Sequence, residues 1–387
     1  MSSHPQPVPE SAPAAAGTTY AAAGVDTAAG DRAVELMRAS VAATMTPAVV
    51  GEVGGFAGLV DVSALRDYRR PLLATSTDGV GTKVAIAQAL GVHDTIGQDL
   101  VGMVVDDIVV VGARPLLMTD YIACGRVVPE RIADIVRGVA TACAAVGTPL
   151  LGGETAEHPG LMEADEYDLA GAATGVVEAD RVLGPERVRP GDVLIALASS
   201  GLHSNGYSLA RRVIADAGWG LERQVPELGR TLGEELLEPT RLYTKACLAM
   251  IGALGSEAAP SPIHALSHVT GGGLAANLAR VLPAGTIADV DRSGWVIPPV
   301  FDLVRHLGSV PWEDLEGTLN LGVGMVAVVA PDSAEAVLRV AQGSEMSAWV
   351  LGGVHEAQVY EPQGRVVAGT KGVDGGAVDV FGRYRTA

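Results

Sequence analysis

Hydrophobic and polar positions fall in blocks along the chain, and the blocks switch between strand-like runs and helix-like periods. Leu72-Leu73-Ala74-Thr75 is a short apolar run that leads into the polar, glycine-rich Asp78-Gly79-Val80-Gly81-Thr82-Lys83, predicting a strand that ends in a loop. Residues 98–112 are mostly apolar and predict a largely buried helix. Leu116–Ala123 reads as a strand, and Pro129–Val146 as a helix with proline in its first turn. Pro149–Leu151 and Asp168–Val177 read as further strands. The segment Glu178–Asp192 mixes charge, proline and glycine and is expected to separate two domains.

After it the pattern restarts with a strand at Val193–Ala198 and helix-like stretches at Tyr207–Ala217 and Arg241–Leu254. A strand at Ile263–His268, a helix at Leu274–Val281 and a strand at Val323–Val329 follow. Strands that alternate with helices in both halves predict two α/β domains. The expected division is a low-charge Pro/Ala/Ser tail over residues 1–20, read as disordered, an N-terminal domain over 21–184 and a C-terminal α/β domain over 185–387.

Charge narrows the function classes. The 387 residues carry 45 acidic against 27 basic side chains, a formal −18, which repels nucleic acid and anionic lipid alike. No uninterrupted apolar run is long enough to span a bilayer, and the first basic residue is Arg32, so a soluble, cytoplasmic protein is expected. Cys124, Cys143 and Cys247 lie far apart without metal-type spacing and are expected as reduced thiols. The 49 glycines cluster beside polar residues, a pattern suited to backbone-lined ligand loops.

Asp78–Lys83 holds the parts a nucleotide polyphosphate needs: glycine N–H groups, a mobile cation in Lys83, and a carboxylate in Asp78 for a hard metal. Its spacing is not that of a P-loop. Asp99, Asp106 and Asp107 lie seven and eight residues apart, close to two helical turns, and so share one side of the predicted helix. That side is read either as a solvated acidic edge or as a magnesium seat. Gly152–Glu157, Ser199–Gly206 and Thr270–Gly273 are further polar-plus-glycine clusters expected at strand ends, and together the four loops favour phosphate chemistry.

Asp78-Gly-Val-Gly-Thr-Lys83, Gly153-Glu-Thr-Ala-Glu157, His203-Ser-Asn-Gly-Tyr-Ser208, Pro239-Thr-Arg241 and Thr270-Gly-Gly-Gly273 stand in an order and spacing that resembles the phosphoribosylformylglycinamidine cyclo-ligase (AIR synthetase) family. Ala23-Gly-Val-Asp26, Gly54-Gly-Phe56, His93–Gly97 and Asn320–Met325 match as well, so the resemblance covers roughly residues 20–355. It implies an N-terminal domain that forms a barrel-like core with a second copy, a C-terminal α/β domain, and a likewise implied homodimer. The implied reaction closes formylglycinamidine ribotide to 5-aminoimidazole ribotide with release of ADP and phosphate. A paralogue cyclising a related amide, or a non-catalytic sensor of ATP or a purine intermediate, is the alternative.

On that resemblance, Asp78, Asp107 and Glu154 are expected to hold Mg2+ on ATP, with Lys83 and the backbone of Gly79, Gly81 and Thr82 at the triphosphate. Gly54, Gly55, Phe56, Ser200, His203, Ser204 and Asn205 are expected to line the substrate. Lys83, His203 and Asp107 are the candidate catalytic residues, His203 as acid or base, while His268 is expected to pack or to position the Gly271 loop. Asp106 departs from the pattern, since many relatives carry Asn there.

Overall fold

The computed structural model describes residues 24–51, 54–255, 261–369 and 374–386. The expected tail at 1–20, and Ala23 of the first motif, lie outside them. The first half comprises α1 (Thr27–Ala42), β1 (Pro71–Gly79), α2 (Ile96–Val109), β2 (Arg114–Cys124), α3 (Pro129–Val146), β3 (Leu150–Glu157) and β4 (Tyr167–Glu178). Its four strands form one sheet in the order β1-β4-β2-β3, antiparallel except for the parallel pair β2/β3.

The second half comprises β5 (Val193–Ala198), α4 (Tyr207–Asp216), α5 (Thr244–Leu254), β6 (Ile263–His268), α6 (Gly273–Ala279), β7 (Thr286–Asp291), α7 (Pro299–Gly308), β8 (Val323–Val329), α8 (Ala334–Gly343), β9 (Ala348–Glu356), β10 (Arg365–Ala368) and β11 (Ala377–Phe381). These strands form a seven-stranded mixed sheet in the order β6-β8-β5-β9-β7-β11-β10. The architecture is mixed α/β, as the alternating pattern predicts.

The first sheet has two unlike faces. Along β2, Met118, Ile122 and Cys124 are buried while Thr119 and Tyr121 are exposed, the two-residue alternation of a sheet covered on one side. The covering element is α2, in which Ile96, Leu100, Val101, Val104, Val105 and Ile108 are all essentially inaccessible. The opposite face is open, with Leu73 66% and Tyr121 41% exposed. All three cysteines are buried and free, in line with the reduced thiols expected.

One expected element has a different form. Gly152–Glu157 is not a loop after a short strand but the body of β3, paired residue by residue with β2 from Thr119 to Cys124. Two glycines suppress the strand signal in the sequence, yet backbone pairing along a partner strand needs no side chains.

The packing of α2 on α3 depends on glycine. A Cβ on Gly97 would stand 2.1 Å from the backbone nitrogen of Val139, and one on Gly138 would stand 2.1 Å from the carbonyl oxygen of Asp94. The two helices therefore cross backbone to backbone. Gly138→Ala is expected to destabilise the protein by about 1–3 kcal/mol through overpacking, and Gly30→Ala, whose Cβ would meet nothing within 4 Å on α1, to be neutral or stabilising by up to about 1 kcal/mol. Chemical denaturation of both variants compares them; equal effects would contradict the crossing.

Candidate functional site

Strand β1 ends at Asp78 and Gly79, and Asp78 Oδ1 accepts the N–H of Gly79 at 2.7 Å. The chain then turns through Gly81 into a single 3-10 turn and a short helix, Val84–Leu90. Partial burial raises the Asp78 carboxyl above its ordinary pKa; the Gly79 N–H opposes this, nearby Asp107 adds to it, and His268 opposes it. Asp78 and Asp107 are thus close enough for their charges to be felt, although they come from a strand and a helix.

The three carboxylates of α2 do not form one acidic face. Asp99 is fully buried, and its Oδ1 accepts Lys83 Nζ at 2.8 Å, the N–H of Thr240 at 2.8 Å and the Thr240 hydroxyl at 2.7 Å. Asp106 is also buried and accepts the N–H of Tyr243 and, at 2.7 Å, the hydroxyl of Thr244 at the start of α5. Only Asp107 is open to solvent, with its side chain 42% exposed. A residue spacing fixes which side of a helix a group leaves from, but not which neighbour meets it there.

Lys83 differs from expectation in the same way. Its side chain is wholly inaccessible, donates to Asp99 and to the carbonyl of Glu238 at 2.6 Å, and lies 5.5 Å from the Tyr207 ring centre. Burial works against both charges of the Lys83–Asp99 pair, lowering the amine and raising the carboxyl, while their mutual attraction opposes it. Its amine is thus engaged within the protein, by Asp99 and the Glu238 carbonyl, and is not the free cation that the sequence reading expects.

His203 is 1% exposed and takes φ 63°, a left-handed conformation uncommon outside glycine. Its Nε2 accepts the N–H of Ser200 at 3.2 Å, which closes the loop on itself. Burial, then the cations His268, Lys83 and Arg241, hold its pKa well below the ordinary histidine value. That shift favours the neutral ring, whose Nε2 is engaged in closing the loop. Ser200 Oγ donates to the Pro239 carbonyl at 2.6 Å, and Asn205 Nδ2 reaches Met103 Sδ at 3.3 Å.

The histidine that borders the open space is His268, at the end of β6. Its Nδ1 donates to Asp107 Oδ1 at 2.9 Å, and its Nε2 is buried without a protein partner. Burial alone would lower its pKa, but the Asp107 hydrogen bond and the charges of Asp106, Asp107 and Asp78 outweigh it and raise the value. Between the halves lies a cleft of about 340 Å³, bordered by Ser76 and Asp107 on one side and by Ser267, His268, Thr270 and Arg280 on the other. Sequence reasoning expected His268 to pack or to position the Gly271 loop and passed over Arg280, which caps the far end of the helix that the Thr270–Gly273 turn opens.

Two expected groups lie elsewhere. Glu154 shares a cross-strand row with Tyr121, Ala170 and Gly79, whereas Asp78 shares the next row with Gly171 and Asp120. Successive rows face opposite sides, and β1 and β3 are the two edges of the sheet, so Glu154 is not brought to Asp78 and Asp107 within one chain. Gly54, Gly55 and Phe56 form an exposed turn, and nearby Gly58 packs on Leu151 of β3, again at the far edge. Among the described residues no group of three or more His, Cys, Asp or Glu side chains is arranged to hold a metal ion.

Comparison with known proteins bears directly on this arrangement. Residues 60–177 match the family model "AIR synthase related protein, N-terminal domain", and residues 189–364 match "AIR synthase related protein, C-terminal domain". The phosphoribosylformylglycinamidine cyclo-ligase of Geobacillus kaustophilus is 48% identical over 336 residues, covering 87% of this chain and 95% of that protein. The enzyme of the same name from Shouchella clausii is 46% identical over 353 residues, 90% and 98% of the two chains. This chain belongs to the phosphoribosylformylglycinamidine cyclo-ligase family.

Solved structures extend the fold beyond the cyclo-ligases. A thiamine-monophosphate kinase from Stenotrophomonas maltophilia superposes with a TM-score of 0.62 at 19% identity, covering 90% of this chain and 96% of its own. A hydrogenase maturation protein of E. coli superposes with a TM-score of 0.59 at 18% identity, covering 90% and 95%. At such identity the likeness concerns the fold alone.

The buried Asp106 yields a prediction. Burial pushes its carboxyl up to about 6, against the hydrogen bonds from residues 243 and 244 and the charge of His268. A folded-state value above the unfolded 3.8 means that the carboxyl's relative contribution to stability is full below about pH 4 and lost as pH rises to about 6. Asp106→Asn lacks this titration, so its stability relative to the parent is expected to improve between pH 4 and 6 by up to about 3 kcal/mol. Melting temperatures of both proteins across that window measure it; a pH-independent difference would contradict the assignment.

Proposed function

We propose that this chain closes formylglycinamidine ribotide to 5-aminoimidazole ribotide, using ATP and releasing ADP and phosphate in purine biosynthesis. The observation that carries this reading is the 46–48% identity to cyclo-ligases over nearly nine-tenths of the chain. The chemical difficulty is that a formamide carbon is a weak electrophile and its oxygen a weak leaving group. Transfer of the γ-phosphoryl group to that oxygen gives an imidate-like phosphate, and attack by the ribose-bearing nitrogen then closes the ring and expels phosphate. Alignment and charge neutralisation are what a protein must supply.

Asp78 and Asp107 are the groups we assign to Mg2+ on the ATP phosphates, with the backbone of Gly79, Gly81 and Thr82 beside them. Two oxygen donors fit this ion, which keeps several waters and takes the rest of its ligands from phosphate. Bound there, it would spread the charge that develops on phosphoryl transfer. His268 would fix the direction of Asp107 by donating to one of its oxygens. Arg280 supplies a guanidinium at the cleft, suited to a phosphate in a chain of formal charge −18. The loop Ser200–Asn205 is assigned to the ribotide.

A second copy of the chain is part of the proposal. The open sheet face, with Leu73 and Tyr121 exposed, would be covered by dimerisation, and Glu154 and the Gly54–Phe56 turn lie on the β3 side of that sheet. Light scattering at micromolar concentration is expected to give a dimer, and a monomer would remove this part.

The decisive test is ADP release by the purified protein with ATP and Mg2+, with and without formylglycinamidine ribotide, followed by mass. ADP formation that requires the ribotide, with loss of one water from it, is the expected outcome. ADP release without that product would indicate a different amide, and ATP binding without turnover a sensor. Asp107→Asn is expected to lower kcat at least a hundredfold, because it removes a charge that opposes the cation on the nucleotide.

A further inference from the structure

Four polar side chains form a buried line from the Asp78–Lys83 turn to the loop before α4. Lys83 Nζ and Asp99 Oδ1 are 2.8 Å apart, and Asp99 Oδ1 also takes the Thr240 hydroxyl at 2.7 Å. Thr240 Oγ1 in turn lies 3.3 Å from Ser204 Oγ, and Ser204 is only 6% exposed. The segment that carries Thr240 is tied down at every step: Lys83 donates to the Glu238 carbonyl, Ser200 to the Pro239 carbonyl, and Gln98 to the Thr240 carbonyl. Gly102 lets it approach, since a Cβ there would stand 2.7 Å from Thr240 Cγ2.

We propose that Lys83 and Asp99 are positioning residues, whose buried pair fixes Thr240 and through it the 199–206 loop that takes the ribotide. The inference deepens the ring-closure reading and rests on it for the identity of the ligand. A buried ion pair is often no more stabilising than an apolar pair of similar volume, so stability alone does not account for one at this place. Geometry does. Thr82, next in sequence to Lys83, meets Ser208 in the first turn of α4 at 3.1 Å, so the turn that carries Asp78 is tied both to the loop 199–206 and to the helix that follows it. Asn205 Oδ1 lies 3.3 Å from where a Cβ of Gly271 would stand, beside Thr270 at the cleft.

The line also has a direction. Lys83 can only donate and the Asp99 carboxylate can only accept, so the Thr240 hydroxyl proton points to Asp99. Ser204 is therefore the donor to Thr240, which leaves the lone pairs of its oxygen free to accept. Such a group accepts from a hydroxyl or N–H of the ligand, as on a ribose or an amidine, and repels a phosphate oxygen. The proposal thus assigns Ser204 to the ribotide's hydrogen-bond donors and leaves its phosphate to other groups.

Thr240→Val, which keeps the volume and removes the hydroxyl, tests the line, with Thr240→Ser restoring it. The Val variant is expected to raise the ribotide KM at least tenfold, to leave the ATP KM within about twofold, and to speed amide hydrogen exchange over residues 199–206 without any ligand. Thr240→Ser is expected to return all three to parental values. Thr240→Ala serves in the same assays should the Val variant not fold. Unchanged exchange and ribotide KM would overturn the proposal, as would Lys83→Met raising the ATP KM alone, which would place Lys83 at the nucleotide. A parent protein that does not turn over the ribotide would instead overturn the ring-closure reading, while the exchange measurement would still decide the positioning role.

Discussion

The arrangement depends on a charged helix buried between two sheets. Most of α2 is inaccessible apolar surface that covers the first sheet, yet Asp99, Asp106 and Asp107 each leave it toward the second half of the chain. Each carboxylate finds donors there, Thr240 for Asp99, Tyr243 with Thr244 for Asp106 and His268 for Asp107, and Asp99 takes Lys83 of the first half as well. A buried carboxylate without donors would be costly, so the segment 240–244 that serves Asp99 and Asp106 must lie where it does, and His268 at the end of β6 meets the more open Asp107. The cleft is what remains between these fixed points.

This constraint sorts the charges by task. The chain is acidic overall, yet the ligands assigned to it are anions, and a cation is needed where they bind. Lys83 is committed to Asp99, which leaves Arg280, an expected ion and backbone N–H groups to face the phosphates. His203 and His268 divide in a similar way: the first closes a loop, while the second borders the cleft beside Asp107 and donates to it. The aromatic row His203–Tyr243–His268, with ring centres 6.0 and 6.3 Å apart, ties the two to one another.

Regular elements with strong periodicity were legible in the sequence. Pro129–Val146, Ile263–His268 and Val323–Val329 have the bounds that their pattern predicts: the helix has one buried face, and the two central strands are nearly continuous buried apolar runs. The strand Leu150–Glu157 was not legible beyond its first residues, since its glycines carry no pattern and its pairing with β2 is a backbone matter. The helix Thr27–Ala42 and the elements after residue 330 were not singled out either, their faces being mixed in polarity. At the site, the partners that individual side chains take up were not legible in the motifs. Lys83 reads as a free cation until Asp99 is seen beside it, and the two are sixteen residues apart on different elements. Glu154 reads as a partner of Asp78 until the sheet order puts them on opposite edges.

The Lys83–Asp99 pair and the carboxylate of Asp106 also bear on how the protein comes apart. The family models meet the chain in two blocks with a gap between residues 177 and 189, as if it were two modules. Physically the blocks share one continuous apolar cluster that runs from Ala33 to Val380, and their seam is stitched by charges with no water to turn to. Melting one block alone would strand Lys83, Asp99 and Asp106 at a half-open surface and deprive 240, 243 and 244 of their acceptors. The loss of either block is thereby made costly for the other, which couples what the sequence divides in two.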